Sequence, residues 1–86
     1  IYMRGQASDY DHWAALGNPG WGYDEVLPYF IRSERNQRGA SAWHGGDGPL
    51  GVSDIGARHE LIEAFIDGAR ETGVPRTDDF NGERQE

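Results

Sequence analysis

The sequence contains no cysteine, which excludes disulfide bonds and thiolate metal ligands from its 86 residues. Lysine is absent as well, so that eight arginines face fifteen acidic residues and the formal net charge is −7. A chain of this charge is repelled by phosphate backbones and by anionic lipid headgroups. No apolar run approaches the roughly 20 residues that a membrane-spanning helix needs. Nucleic acid and membrane spans are therefore not expected.

Large aliphatic side chains are also scarce. Leu, Ile, Val and Phe together account for 15 of the 86 residues, below the fraction of about 20% under which charged chains tend to stay disordered. Three tryptophans and four tyrosines oppose disorder, because aromatic side chains bury large areas. The chain starts at Ile1 rather than at a methionine and stops directly after a turn signal. We expect an incomplete domain that was cut from a larger polypeptide.

Two helices are predicted in the first part of the chain. One covers the segment SDYDHWAALG, with Ser8 as its cap and Asp11 three residues later as the partner of that cap. The other lies in YDEVLPYFIRSE, which carries an apolar stripe at helical spacing: Tyr23, Val26, Leu27, Phe30 and Ile31. Because an interior proline costs roughly 3 kcal/mol, we expect a loose turn over residues 23–27 and a regular helix only from Pro28.

The second half of the chain predicts a loop, a strand and a helix. Residues 36–48 are glycine-rich and polar, which favours an irregular surface loop. The segment GPLGVSD predicts one short strand. A final helix is predicted over ELIEAFIDGARETG, with a stripe that is expected to be buried: Leu61, Ile62, Phe65, Ile66 and Ala69. The fold class is therefore an α+β fragment of a larger α/β enzyme, with short helices, a glycine-rich loop and one short strand.

Side chains that could carry chemistry are few. None of His12, His44 and His59 lies at a metal-binding spacing from another, and solvent-facing or structural roles are expected for all three. The terminal TDDFNGERQE is a poor match to a calcium loop, because Thr77 stands at the first ligand position. Nucleophile elbows, phosphate loops and GxGxxG motifs are absent from the sequence. No metal site is predicted.

Aromatic residues leave two functions open. Six of them could line a surface for a sugar or a flavin ring: Tyr2, Tyr10, Trp13, Trp21, Tyr23 and Trp43. Their spacing alone favours the alternative, in which they pack against other parts of the fold. From the residues themselves, the chain is either part of an enzyme or a small non-catalytic module that binds a carbohydrate or a protein.

Taken together, four segments resemble the glucose–methanol–choline (GMC) oxidoreductases, and in particular their choline-dehydrogenase-like branch. In chain order they are YMRGQASDYDHWAALGNPGW, YDEVLPYFIRSE, HGGDGPLGVSD and AFIDGARETGVPRTDDFNG. The resemblance covers essentially the whole chain. It implies a flavoenzyme that oxidises the CH–OH group of an alcohol to an aldehyde or ketone, with FAD accepting the hydride. It does not distinguish a dehydrogenase from an oxidase.

The resemblance also implies a role for each part of the chain. Residues 1–35 would form a lid and helix that cover FAD, residues 36–48 a glycine-rich loop, and residues 49–86 the start of the substrate-domain sheet with a helix and a turn. The implied cofactor-binding residues are Ile1, Tyr2, Met3, Arg4 and Gly5. Candidates on the substrate and flavin side are Asp79, Phe80, Asn81 and Gly82.

No catalytic residue is expected within this chain, because none of its histidines lies in a motif that matches the catalytic histidine of the family. The chain would enclose the cofactor and exclude water, and it would be inactive by itself. The expected partners are the alcohol substrate and the remainder of the parent polypeptide. A cytoplasmic location is expected, since no signal-type segment is visible.

Overall fold

A computed structural model describes residues 1–85 of the chain. The elements are, in order, α1 (Ala7–Ala15), α2 (Tyr23–Ser33), β1 (Glu34–Asn36), β2 (Leu50–Val52) and α3 (Glu60–Glu71). Glu86, the last residue of the predicted segment 49–86, lies outside the residues that the structure describes. The predicted class is confirmed, with one addition: the small sheet has two strands.

Helix α1 begins at Ala7, and its preceding residue Gln6 donates its backbone N–H to Asp9 Oδ2 at 2.9 Å. The prediction that Ser8 caps this helix with Asp11 as its partner is wrong. Ser8 lies inside the helix and is exposed, whereas Asp11 Oδ1 accepts the Tyr23 N–H at 2.9 Å. A carboxylate at the third helical position reaches back over the first turn. Asp9 holds that position, so Asp11 is left to cap the next helix.

Helix α2 is regular from Tyr23 and contains Pro28. The predicted loose turn over residues 23–27 is therefore wrong. Two side chains satisfy backbone donors at the start of the helix: Asp11 accepts from Tyr23, and Glu25 Oε2 accepts the Gly22 N–H at 3.1 Å. Helix α2 also packs on α1. Together these contacts stabilise the first turn and offset the cost of the proline.

Strand β1 pairs in parallel with β2, with Glu34 opposite Leu50 and Asn36 opposite Val52. The sequence did not predict β1, because its three residues are polar and show no apolar alternation. Its hydrogen-bond partners come from the loop that follows: Asn36 N–H donates to the Gly45 carbonyl at 2.8 Å, and Gly48 N–H donates to the Glu34 carbonyl at 2.9 Å. The predicted strand at β2 is confirmed.

The glycine-rich loop is not confined to the surface, contrary to the prediction. His44, Gly45 and Gly48 are buried. A β-carbon on Gly45 would overlap the Ile31 carbonyl oxygen, and one on Gly48 would overlap the backbone of Ser33. Glycine at these two positions lets the loop backbone lie directly on the end of α2.

No hydrophobic side chain within residues 1–85 is fully buried. The radius of gyration is 15.3 Å, against about 12 Å for a compact domain of this length. Helix α3 forms as predicted, but its stripe is not buried: Leu61 and Phe65 are 70% and 78% exposed. Among the described residues, the close packing between elements lies between α1 and α2 and between the two strands, which leaves Leu61 and Phe65 of α3 uncovered. Across the described residues, no helix is long and apolar enough to cross a membrane.

Candidate functional site

Four distant parts of the chain meet in a buried polar cluster, here called the ionic network. It consists of Arg4, Glu34, His44 and Asp79, joined in that order by ion pairs. The side chains of Arg4 and Glu34 have no exposed surface. Charged side chains are seldom buried unless they are paired and hydrogen-bonded. The network is therefore the main buried polar feature of the described residues.

Arg4 lies just before α1, and its guanidinium group is held on several sides. Nη2 donates to Glu34 Oε2 at 2.6 Å, and Nη1 donates to the Trp43 carbonyl at 2.6 Å. The guanidinium carbon also lies 5.1 Å from the centroid of the Phe30 ring and 5.7 Å from that of Tyr2, which adds cation–π attraction. All of these partners belong to the chain itself, so the arginine is fully engaged.

Glu34 lies where α2 ends and β1 begins, and its carboxylate is entirely enclosed. Besides the bond from Arg4, it accepts from Asn36 Nδ2 at 3.0 Å and from the Gly45 N–H at 3.2 Å. Buried carboxylates need several donors to replace lost hydration. The turn from helix to strand and the close loop backbone provide those donors.

His44 lies between two carboxylates. Its Nδ1 is 3.0 Å from Glu34 Oε2, and its Nε2 is 2.6 Å from Asp79 Oδ2. The Asn36 Nδ2 atom also lies 3.2 Å from Nδ1. Both ring nitrogens therefore have partners within the chain itself, and His44 links Glu34 to Asp79.

Asp79 closes the network on its more exposed side. Burial acts to raise the pKa of the Asp79 carboxyl, but the hydrogen bond from His44, the bond from the Asn81 N–H and the charge of His44 together lower it below its ordinary value. The Asn81 N–H lies 3.0 Å from Asp79 Oδ1. Asp79 is therefore ionised at neutral pH.

Asn81 joins the two predicted groups of site residues. Its Nδ2 donates to the Tyr2 carbonyl at 3.0 Å, and its Oδ1 accepts the Arg4 N–H at 2.8 Å. The side chain thus bonds the backbone on both sides of Met3, much as a neighbouring strand would. The structure brings residues 1–5 and residues 79–82 side by side, while their contact with a cofactor stays a prediction.

The predicted site residues differ in their exposure. Arg4, Asn81 and Gly82 are buried, and Tyr2, Gly5 and Asp79 are half-buried. The apolar members of the two groups are exposed: Ile1, Met3 and Phe80. Polar groups therefore hold the two segments together, and apolar side chains are left free at their surface.

The sequence did not single out Glu34, although it is the most buried residue of the network. His44 was expected to have a solvent-facing or structural role, and its contacts are structural. The available signal was a histidine within a glycine-rich stretch. It does not identify the two partners, which lie 10 and 35 residues away along the chain.

The predicted aromatic set is partly assembled. Tyr10 contacts Trp13 and Tyr23, with ring centroids 5.5 and 6.3 Å apart, and Trp13 contacts Trp21 at 5.8 Å. These ring contacts join α1 to the start of α2 and fit the packing interpretation. Trp13, Asn18 and Trp21 also line a shallow, mostly apolar depression. No group of His, Asp and Glu suited to a metal ion occurs in the part of the chain that the structure describes.

Comparison with known proteins gives a match along the entire chain. A family model described as GMC oxidoreductase matches residues 1–86. The oxygen-dependent choline dehydrogenase of Sinorhizobium fredii is 44% identical over all 86 residues, which span 16% of its length. The mitochondrial choline dehydrogenase of Mus musculus is 46% identical over the same residues, which span 14% of its length. The chain thus spans about one-sixth of the curated relatives that it matches.

Two solved structures share the fold. Pyridoxine 4-oxidase from Mesorbium loti superposes with a TM-score of 0.83 at 36% identity, covering 93% of this chain and 16% of that one. An FAD-dependent oxidoreductase from Chaetomium thermophilum superposes with a TM-score of 0.85 at 33% identity, covering 95% of this chain and 16% of that one. The arrangement of helices, strands and loop described above therefore recurs inside much larger proteins.

Proposed function

The chain belongs to the GMC oxidoreductase family, and from this premise we propose that the protein containing it oxidises the CH–OH group of an alcohol to an aldehyde or ketone, with FAD as the hydride acceptor. Family membership over residues 1–86 carries the proposal. The identity of 44–46% to choline dehydrogenases supports it. The family match over the whole chain favours this function over the alternative of a small carbohydrate- or protein-binding module.

The residues of this chain fit the flavin ring better than the phosphates of FAD. Ile1 and Met3 present exposed apolar side chains, which suit contact with a flat, largely apolar ring. Arg4 is wholly paired with Glu34, so its charge is not available to a phosphate. We therefore place residues 1–5 and 79–82 beside the ring and the phosphate-binding residues outside this chain. When bound, FAD supplies the hydride acceptor.

Positioning and exclusion of water are the contributions proposed for this chain. Residues 1–35 would cover the cofactor, residues 36–48 would form the glycine-rich loop, and residues 49–86 would begin the substrate-domain sheet with a helix and a turn. The α1–α2 pair is well suited to act as a cover, because the Asp11–Tyr23 hydrogen bond and the aromatic contacts hold it together. Excluding water protects a reactive site from side reactions.

We propose that the general base of the reaction lies outside this chain. His44 cannot serve, since it is buried and each of its ring nitrogens lies within hydrogen-bond distance of a carboxylate of this chain. His59 Nδ1 accepts the Leu61 N–H at 3.2 Å and caps α3. His12 lies exposed on the first helix. No catalytic residue is therefore assigned to the chain.

A small alcohol is the proposed substrate, and choline is the first candidate. The two choline dehydrogenases are 44% and 46% identical to this chain, compared with 36% for the pyridoxine oxidase. The cytoplasmic location expected from the sequence stays a prediction, and the mouse relative is named as mitochondrial.

Anaerobic reduction of the bound flavin tests this proposal. The full-length protein is purified with its cofactor and mixed with choline in the absence of oxygen, and flavin absorbance is followed. We expect the absorbance to bleach and the corresponding aldehyde to form. Ethyltrimethylammonium is the matched control, since it keeps the cation and lacks the hydroxyl group. A protein that carries no flavin, or whose flavin is reduced by no alcohol, would refute the proposed function.

A further inference from the structure

The ionic network connects the two segments that we propose to border the flavin. Glu34 contacts residues 1–5 directly, through the 2.6 Å bond from Arg4 Nη2. It contacts residues 79–82 through a single ring, since His44 lies 3.0 Å from Glu34 and 2.6 Å from Asp79. One buried carboxylate is thus linked to both segments.

Glu34 is itself held firmly in place. Its backbone pairs opposite Leu50 in the sheet, and its carbonyl accepts the Gly48 N–H at 2.9 Å. Its side chain is fully enclosed. A side chain fixed by strand pairing and by enclosure has little conformational freedom. The Glu34 carboxylate therefore provides a fixed reference point for Arg4 and His44.

The hydrogen bonds of Asn81 complement the network. They join the Tyr2 carbonyl and the Arg4 N–H to the side-chain amide of Asn81. These two bonds fix how residues 1–5 are aligned against residues 79–82. Met3 lies between the two bonded residues and is 63% exposed, and Phe80 precedes Asn81 and is 56% exposed. The location of these two apolar side chains thus depends on buried polar contacts.

We propose that Glu34 and His44 are positioning residues of the flavin site. Neither would contact the cofactor. They would set the separation of residues 1–5 from residues 79–82, so that the apolar side chains of both segments meet the ring together. This inference rests on the proposed function, since it places FAD beside these segments. It goes further, because two side chains that do not contact the cofactor would set the geometry of the flavin site.

Hydrogen exchange of the full-length protein tests the first part of the inference. The variants are Glu34→Gln and His44→Gln, and Asp54→Asn is the matched control because Asp54 forms an exposed ion pair with Arg38 at 2.7 Å. Exchange is followed in peptides covering residues 1–5 and 79–82, with α3 as internal reference. In both network variants we expect exchange to become about tenfold faster in the two segments and to stay unchanged in α3. The reason is that each substitution removes a hydrogen-bond partner from the buried side chains of the ionic network that remain.

Cofactor binding tests the second part. We expect both variants to bind FAD about tenfold more weakly than the wild type and to change the visible circular dichroism of the bound flavin, because a loosened site is less well preorganised. Asp54→Asn is expected to leave affinity and spectrum unchanged. The dichroism reports the surroundings of the ring, so a role limited to stabilising the fold would not alter it.

Two results would overturn the inference. One is unchanged exchange in both segments, and the other is faster exchange with unchanged FAD affinity and spectrum, since the network then supports the fold alone. Should Glu34→Gln fail to fold, His44→Gln decides the question, because it keeps the Arg4–Glu34 pair intact. Absence of flavin from the wild type would instead refute the proposed function and this inference with it. Absence from the variants alone agrees with the inference.

Discussion

Gly45 and Gly46 are neighbours in the loop that have opposite surroundings. A β-carbon on Gly45 would overlap the Ile31 carbonyl oxygen and lie 2.6 Å from that of Glu34, whereas one on Gly46 would lie 3.4 Å from Ala40, an ordinary contact. Neither glycine has a positive φ angle, so an alanine at either position meets no backbone strain. The two positions therefore differ only in the space available for a β-carbon. At Gly45 that space is occupied by backbone atoms, including the carbonyl oxygen of Glu34.

The pair gives a test with its control in the adjacent residue. In the full-length protein, Gly45→Ala is expected to lower the free energy of unfolding by about 2 kcal/mol or more, because backbone atoms at a packed contact cannot move aside cheaply. Gly46→Ala is expected to change it by less than about 0.5 kcal/mol. Thermal unfolding of both variants measures the effect. Equal midpoints would show that the loop does not lie on α2 as described.

The two N-terminal helices are stabilised as a pair rather than one by one. Asp11 belongs to α1, yet its carboxylate accepts the first N–H of α2. Tyr10 of α1 contacts the rings of Tyr23 and Phe30 on α2, with centroids 6.3 and 5.8 Å apart. Short helices are marginal on their own and depend on such contacts. This dependence explains why α2 begins before Pro28 and not at it.

Alanine substitution of Asp11 and of Ser8 distinguishes the observed helix cap from the one that the sequence predicted. Asp11→Ala is expected to lower the free energy of unfolding of the full-length protein by about 1 kcal/mol, since the Tyr23 N–H loses its acceptor. Ser8→Ala is the control and is expected to be neutral or slightly stabilising, because Ser8 is exposed within the helix and alanine is the better helix former. Denaturant unfolding measures both. A larger loss for Ser8→Ala would favour the cap that the sequence suggested.

Within the described residues, the few side chains that are buried are charged or polar and none is hydrophobic, which is unlike the interior of an independent domain. Residues buried within the described part include Arg4, Glu34, His44 and Asn81, but no hydrophobic side chain. On α3, Leu61, Ile62 and Phe65 are each more than half exposed. Because the chain spans about one-sixth of its relatives, we expect the remainder of the polypeptide to cover this face.

Truncation of an α3 side chain tests that expectation. In the full-length protein, Phe65→Ala is expected to cost about 3 kcal/mol or more, the usual effect of removing a buried phenylalanine. Asp67→Ala is the control, since its ion pair with Arg70 is exposed at both ends and such pairs contribute about 0–1 kcal/mol. A Phe65→Ala variant as stable as the wild type would mean that the apolar face of α3 stays exposed in the full-length protein.

The 86-residue chain alone is expected to bind a hydrophobic dye and to unfold without a cooperative transition.

The sequence by itself determined the features that depend on neighbouring residues. Apolar spacing located α3, the alternation of Leu50 and Val52 after a glycine-rich stretch located β2, and the joint order of four segments identified the family. Each of these signals is local, because amphipathic periodicity and turn chemistry act over a few residues. The same signals left either a solvent-facing or a structural role for each histidine, and the structure buries His44 next to Glu34 and Asp79.

Tertiary structure alone decided which residues are partners. Glu34 is bonded to residues 30 and 10 positions away, and the polar strand β1 exists because the loop returns to pair with it. Asp11 caps α2, and not the helix that contains it, since two helices meet at that point. The apolar stripe of α3 was correctly located yet is exposed, because burial depends on what else is present to cover it. Distances between remote segments follow from the path of the chain, and no local pattern encodes that path.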